Sequence, residues 1–296
     1  MNLRDRLIDP RSPDRRPRRA AYVLPTAFTA GNLFLGFVAI VQAFQGAMAS
    51  MGGNYAANPH FESAAKMIGI AVLLDGVDGR IARMTNTVSD FGREMDSLAD
   101  VITFGIAPAV LAYAWGLQFI SPPIDAIQLD HLLHAGYFVC FLFLLCGAAR
   151  LARFNITTNP IPKNPGRPNR KYFVGLPIPS AAGMVAAVVY ATGSAPLRWW
   201  PLAVAWLALL SLLSFLMVCT WRYPSFKDVN FLRPRSPLSV IFVGSLIYLI
   251  WVASQPVLLA LAITYVGSGI ALRAGGIIRR RFRHAPPPPH PEHQVG

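Results

Sequence analysis

Charge is what this 296-residue chain lacks: Asp, Glu, Lys and Arg make up 14% of it, against roughly 25% in an ordinary soluble domain. Hydrophobic residues make up 54%, and the mean hydropathy is +0.42. That balance excludes a disordered chain, which has few apolar residues, and a soluble globule, which needs charge to cover its surface. Cysteine is also scarce. Cys140, Cys146 and Cys219 all lie inside apolar runs, and an odd number so placed builds no disulfide framework. Acidic residues number 14 against 27 Lys and Arg, a net charge of +13. A nucleic-acid-binding domain gathers such an excess on one folded face; here it falls between apolar runs, so no nucleic-acid partner is expected.

The apolar residues gather into stretches of about 20, the length a helix needs to cross a bilayer. Eight stretches qualify: residues 25–46, 62–83, 97–117, 131–153, 174–193, 199–219, 238–254 and 256–273. The expected fold is therefore all-α, a polytopic membrane bundle of about eight helices. No small-residue cleavage site follows the first stretch, which is expected to remain as helix 1. With eight spans, all the Lys and Arg residues except Lys66 and Arg198 fall on one side. Cytoplasmic loops retain the basic excess, so both termini are expected in the cytoplasm. The chain divides into a basic arm (1–24), a membrane domain (25–273) and a basic tail (274–296). The run Pro286–Pro289 forbids helix within the tail and predicts disorder there.

Because acidic residues are few, their positions carry information. Asp75 and Asp78 are spaced i,i+3 in the second stretch; Asp96 and Asp100 are spaced i,i+4 at the start of the third. Each pair projects from one helix face, and the reversal between the stretches brings both pairs to the same membrane surface. Four converging carboxylates repel unless cations neutralise them. An all-oxygen set without His or Cys suits Mg²⁺ or Mn²⁺ rather than Zn²⁺. Gly76 and Gly79 leave room for a bulky group at the backbone, and Arg80, Arg83 and Arg93 supply positive charge. Together these residues point to a phosphate ester or pyrophosphate. Taken alone, the carboxylates leave open a structural Asp–Arg network or the ion pathway of a cation transporter. Transporter sites lie near the midplane, whereas these lie at an edge.

The complete string is more specific. It reads D-G-V-D-G-R-I-A-R from Asp75 to Arg83, then eight residues, Gly92, three residues, Asp96, three residues and Asp100. This resembles, at every fixed position, the signature of the CDP-alcohol phosphatidyltransferases. Within them the chain is most similar to the bacterial phosphatidylserine synthases, from about Pro25 to Arg273. The segments that carry this are N-L-F-L-G-F from Asn32, D-S-L-A-D-V-I-T-F-G-I-A-P from Asp96, A-R-L-A-R-F-N from Ala149, F-V-G-L-P-I-P from Phe173 and R-Y-P-S-F-K from Arg222.

The resemblance implies two divalent ions, Mg²⁺ or Mn²⁺, held by Asp75, Asp78, Asp96 and Asp100, with Asp100 as general base. It implies that Gly76, Gly79, Ala82 and Arg83 line a CDP-diacylglycerol pocket. L-serine is the implied acceptor, with glycerol phosphate or inositol phosphate as the alternative. It also implies membrane-lipid surroundings, a homodimer, and an integral protein of the bacterial inner membrane with its active site facing the cytoplasm.

Serine carries a carboxylate, so a further cation is expected near the site. Arg150 and Arg153, one turn apart, are the first candidates to bind serine or phosphate, with Lys171, Arg222 and Lys227 behind them. Asn32 either faces the site or joins helices. His131 and His134 fall at the opposite surface, where Trp199 and Trp200 fit an aromatic belt. Gly175, Pro177 and Pro179 are expected to open the fifth helix and bend it near the cytoplasmic surface.

Overall fold

The computed structural model describes residues 19–53, 55–85, 90–121, 125–158, 172–224 and 237–282. In chain order it contains α1 (Arg19–Met51), α2 (Pro59–Thr85), α3 (Asp90–Asp100), a π-helical segment (Val101–Ile106), α4 (Ala107–Gly116), α5 (Ala126–Thr158), strand β1 (Tyr172–Val174), α6 (Ile178–Ala191), α7 (Trp200–Val218), strand β2 (Arg222–Pro224), α8 (Pro237–Val252) and α9 (Ser254–Phe282). Each of the eight apolar stretches contains helix, the third as the succession of α3, the π-helical segment and α4, and the fifth only from Ile178. Among the described residues, five are long and apolar enough to cross a membrane: Ala27–Met51, Phe91–Gly116, Ala126–Ile156, Trp200–Val218 and Ser254–Arg273. The other three fall short for identifiable reasons. α6 and α8 have 14 and 16 residues, and the carboxylates and arginines near the end of α2 interrupt its apolar run.

α1 shows how a bilayer inverts the usual helix pattern. Its buried face is Thr29, Asn32, Gly36, Ala39, Ala43, Ala47 and Ser50, all small or polar, while Phe34, Phe37, Phe44 and Met48 point outward. Lipid takes the bulky side chains, and small residues let backbones approach. At Gly36 a Cβ would stand 2.8 Å from Thr103 Cα, so only glycine admits the π-helical segment at this point. α1 and α2 form an antiparallel hairpin whose register is set at both ends. Near one end Gly46 faces the Phe61 ring; towards the other, a Cβ at Gly31 would lie 3.5 Å from Leu74 Cδ2. Asn58 closes the hairpin. Its Nδ2 donates to Gly46 O (2.9 Å) and Ser50 Oγ (3.0 Å), and its Oδ1 accepts the His60 N–H (3.0 Å), which caps α2 ahead of Pro59.

α3, the π-helical segment and α4 run on as one rod, with the Ala107 N–H reaching back to Ile102 O. α5 descends antiparallel to it: Leu117 packs at Gly136 and Leu144 at Gly105. Two departures from the sequence expectation follow α5 and α7. The stretch expected to be one helix from residue 174 begins instead with β1, which pairs antiparallel with β2 through Phe173↔Tyr223. Gly175 then turns the chain at φ +77°, and its N–H donates to Trp221 O (2.8 Å). Pro177 is the N-cap of α6 and Pro179 lies in its first turn. The prolines start the helix, where a missing N–H is harmless, rather than bend it. At the other end of the chain α9 continues through Phe282, past the expected limit at 273. Residues 1–18 and 283–296, with most of the basic arm and tail, lie outside the described residues.

Candidate active site

Asp75 continues the packed face of α2. Phe61, Ala64, Ile68 and Ala71 precede it at helical spacing and are all buried, so the carboxylate is carried inward. On α3, Asp96 and Asp100 lie one turn apart, and Asp100 is 8% exposed. α1 locks the two elements together, because it packs along α2 and its Asn32 carbonyl accepts the Thr103 hydroxyl (3.1 Å), one turn beyond Asp100. As a result Asp75, Asp96 and Asp100 each offer a carboxylate oxygen within 4.8 Å of the others.

Like charges at such a distance repel by on the order of 3 kcal/mol per pair at an effective dielectric of about 20. Asp96 Oδ1 is buried with no hydrogen-bond partner among the described residues. A hard divalent ion answers both problems, since it binds oxygen ligands and supplies the missing counter-charge. The cluster can therefore hold a metal ion.

Asp78, Gly79, Ala82 and Arg83 fall within α2, but their side chains lie outside the described residues, as does the side chain of Arg222; Lys171 and Lys227 lie outside them altogether. Gly76 is exposed, and a Cβ there would meet no atom of the described residues within 4 Å.

Arg150 reaches the site by the register of α5. Leu144 packs at Gly105, and further along α5 the Asn155 Nδ2 donates to Ser97 Oγ (2.8 Å), which in turn donates to Arg93 O (3.0 Å). Arg150 lies between these contacts, level with Asp100, within electrostatic reach of that carboxylate and near Tyr265 of α9. Its Nε is buried without a hydrogen-bond partner among the described residues. Arg153, one turn on, points elsewhere: it is exposed, and its Nη1 makes a long hydrogen bond to Val218 O (3.5 Å) at the end of α7. There a cation complements the helix dipole. The two arginines paired by sequence spacing are thus separated by the fold.

Tyr265 and the π-helical form of Val101–Ile106 were not foreseen, and Ser97 was visible only as the second residue of the segment that begins at Asp96. Tyr265 sits in an unremarkable apolar run with no motif around it, and i→i+5 bonding leaves no mark in hydrophobic spacing. Such segments occur often at functional sites. Asn155 was visible only as the last residue of A-R-L-A-R-F-N. His131 and His134 are exposed near the start of α5; His134 bonds Asp130 O at 2.8 Å. Their helix rises roughly 24 Å from His134 to Arg150, so neither histidine joins the carboxylates. Trp199 and Trp200 are exposed at the head of α7.

Neutralising one carboxylate relieves the repulsion when metal is absent and removes a ligand when it is present. Asp96→Asn is therefore expected to raise the melting temperature of the metal-free protein by about 2–4 °C, for roughly 1 kcal/mol. It should also abolish most of the stabilisation that Mn²⁺ confers on the parent chain. Thermal unfolding in detergent with and without Mn²⁺ checks both.

The model of the CDP-alcohol phosphatidyltransferase family matches residues 22–212. A CDP-diacylglycerol–serine O-phosphatidyltransferase of Helicobacter pylori is 36% identical over 252 residues, covering 79% of this chain and 91% of the relative. One of Bacillus subtilis is 32% identical over 204 residues, covering 69% and 91%. An archaetidylserine synthase of Methanothermobacter thermautotrophicus is 33% identical over 172 residues, covering 57% and 58%. The match spans the helices that carry Asp75, Asp96, Asp100 and Arg150, and the chain belongs to the CDP-alcohol phosphatidyltransferase family.

Proposed function

We propose that the chain transfers the phosphatidyl group of CDP-diacylglycerol to the hydroxyl of L-serine, forming phosphatidylserine and releasing CMP. The relatives' names supply the substrates. The observation that carries the reading to this molecule is the meeting of three carboxylates within 4.8 Å, with Arg150 in electrostatic reach of one of them.

The serine Oγ attacks the phosphorus that bears the diacylglycerol. The bond from that phosphorus to the CMP phosphate oxygen breaks, and the hydroxyl proton passes to Asp100. Asp75, Asp78, Asp96 and Asp100 would hold the divalent ions, two of Mg²⁺ or Mn²⁺, which would supply positive charge against the diphosphate and the CMP leaving group. Gly76, Gly79, Ala82 and Arg83 border the nucleotide. Asp100, largely buried, acts as base while Arg150 pairs with the serine carboxylate; Lys171 supplies a further cation for the serine or phosphate group. Arg153 holds the end of α7.

The membrane domain, residues 25–273, crosses the bilayer eight times. Basic residues keep the arm (1–24) and tail (274–296) in the cytoplasm. The site then opens to the cytoplasm of a bacterial inner membrane, where CMP and serine diffuse and the acyl chains stay in lipid. A homodimer completes the assembly.

Incubating purified protein with CDP-diacylglycerol, Mn²⁺ and separate acceptors is expected to release CMP with L-serine, and far less with ethanolamine, glycerol or glycerol phosphate. A site built round a charged partner rejects analogues that leave it unpaired. Arg150→Ala should raise the serine KM by about tenfold or more, for a charge-assisted bond, and move that for CDP-diacylglycerol little. CMP release that is faster with glycerol phosphate would assign the acceptor differently. For topology, Arg16→Cys, Lys163→Cys, Arg235→Cys and His290→Cys should all be labelled from the cytoplasmic side; labelling of any one from outside breaks the eight-span arrangement.

A further inference from the structure

Among the described residues, the α1–α2 hairpin contains two buried asparagines, and they contrast. Asn58, at one end, has both side-chain groups in hydrogen bonds, to Gly46, Ser50 and His60. Asn32, towards the other, has no exposed surface at all, yet neither its Oδ1 nor its Nδ2 has a hydrogen-bond partner among the described residues. Its backbone carbonyl is used by Thr103; its side chain is not used. A buried amide left unpaired destabilises the fold, and a leucine of similar size would not. An amide retained there needs a partner that arrives from outside the chain.

The register says where that partner is. Gly31 lies at Leu74, next to Asp75, and Asn32 itself touches Thr103, one turn beyond Asp100. Asn32 therefore stands at the level of the carboxylates, on the face that α1 turns towards both α2 and the π-helical segment. The aspartates present only acceptor oxygens once ionised, so a diphosphate seated on them needs donors from another wall. An amide Nδ2 is such a donor and adds no charge. Arg150 approaches from α5, a different helix.

Resting on the transferase reading above, we propose that Asn32 is a substrate-binding residue of this site, its Nδ2 donating to the diphosphate of the cytidine nucleotide.

The test uses the full chain in detergent, with CDP and Mn²⁺ as probes. Asn32→Leu is expected to leave the melting temperature of the unliganded protein at or above that of the parent. The Kd for Mn²⁺ alone should stay within about twofold, and the Kd for CDP in saturating Mn²⁺ should rise by about tenfold, as for one lost hydrogen bond to a charged group. Asn32→Ala should show the same loss of CDP affinity with a lower melting temperature from the cavity, so the result does not depend on leucine fitting. CDP affinity within twofold of the parent in both variants would overturn the assignment and leave Asn32 a packing residue. A tenfold loss of Mn²⁺ affinity would overturn it in favour of a metal ligand. If the parent chain itself binds no CDP in Mn²⁺, both this assignment and the reading beneath it fall.

Discussion

The constraint on which the rest depends is electrostatic: three carboxylates brought within 4.8 Å of one another among apolar helices. Left alone they destabilise the junction they occupy, because each is partly or largely withdrawn from water and repels the others. The surroundings hold them there nevertheless. Asp75 rides on the packed face of α2, Asp96 and Asp100 ride on α3, and α1 is clamped to both. Such an arrangement is stable in company with a multivalent cation and its phosphate ligand. The fold thus stores the need for its ligands in the unfavourable placement of its own charges.

What makes that placement tolerable is close backbone packing elsewhere. Lipid offers no gain for burying a leucine between helices, so association comes from small residues that let backbones touch. The buried face of α1 runs Gly36, Ala39, Ala43 and Ala47, and at Gly36 the helix leans on Thr103 without room for a methyl group. The same contact fixes the height of Asp100, one turn away. Packing and catalysis are therefore not separable at this point: widening the α1 contact would displace the carboxylates.

Much of this was legible in the sequence, though unevenly. The i,i+3 and i,i+4 spacing of the aspartates placed each pair on one face, and the reversal between two apolar stretches placed both pairs at one end; Asp75, Asp96 and Asp100 meet as that logic requires. Spacing could not separate Arg150 from Arg153. That depends on which neighbour α5 meets, and α5 meets the α3 rod on one side and the end of α7 on the other. Nor does hydrophobic pattern distinguish a three-residue strand from the start of a helix. Tyr172–Val174 is apolar enough for either, and pairing with Arg222–Pro224, some 50 residues away, decides it. Pro177 and Pro179 open α6 as their position suggested, but they do not bend it, because at a helix start no interior hydrogen bond is lost.

The most direct test is to locate the metal itself. Anomalous scattering from Mn²⁺ in crystals of the full chain grown with CDP is predicted to fall among the carboxylates of Asp75, Asp96 and Asp100, with the nucleotide diphosphate in contact with it. Mn²⁺ bound only at other positions, with CDP seated away from these three residues, would contradict the account.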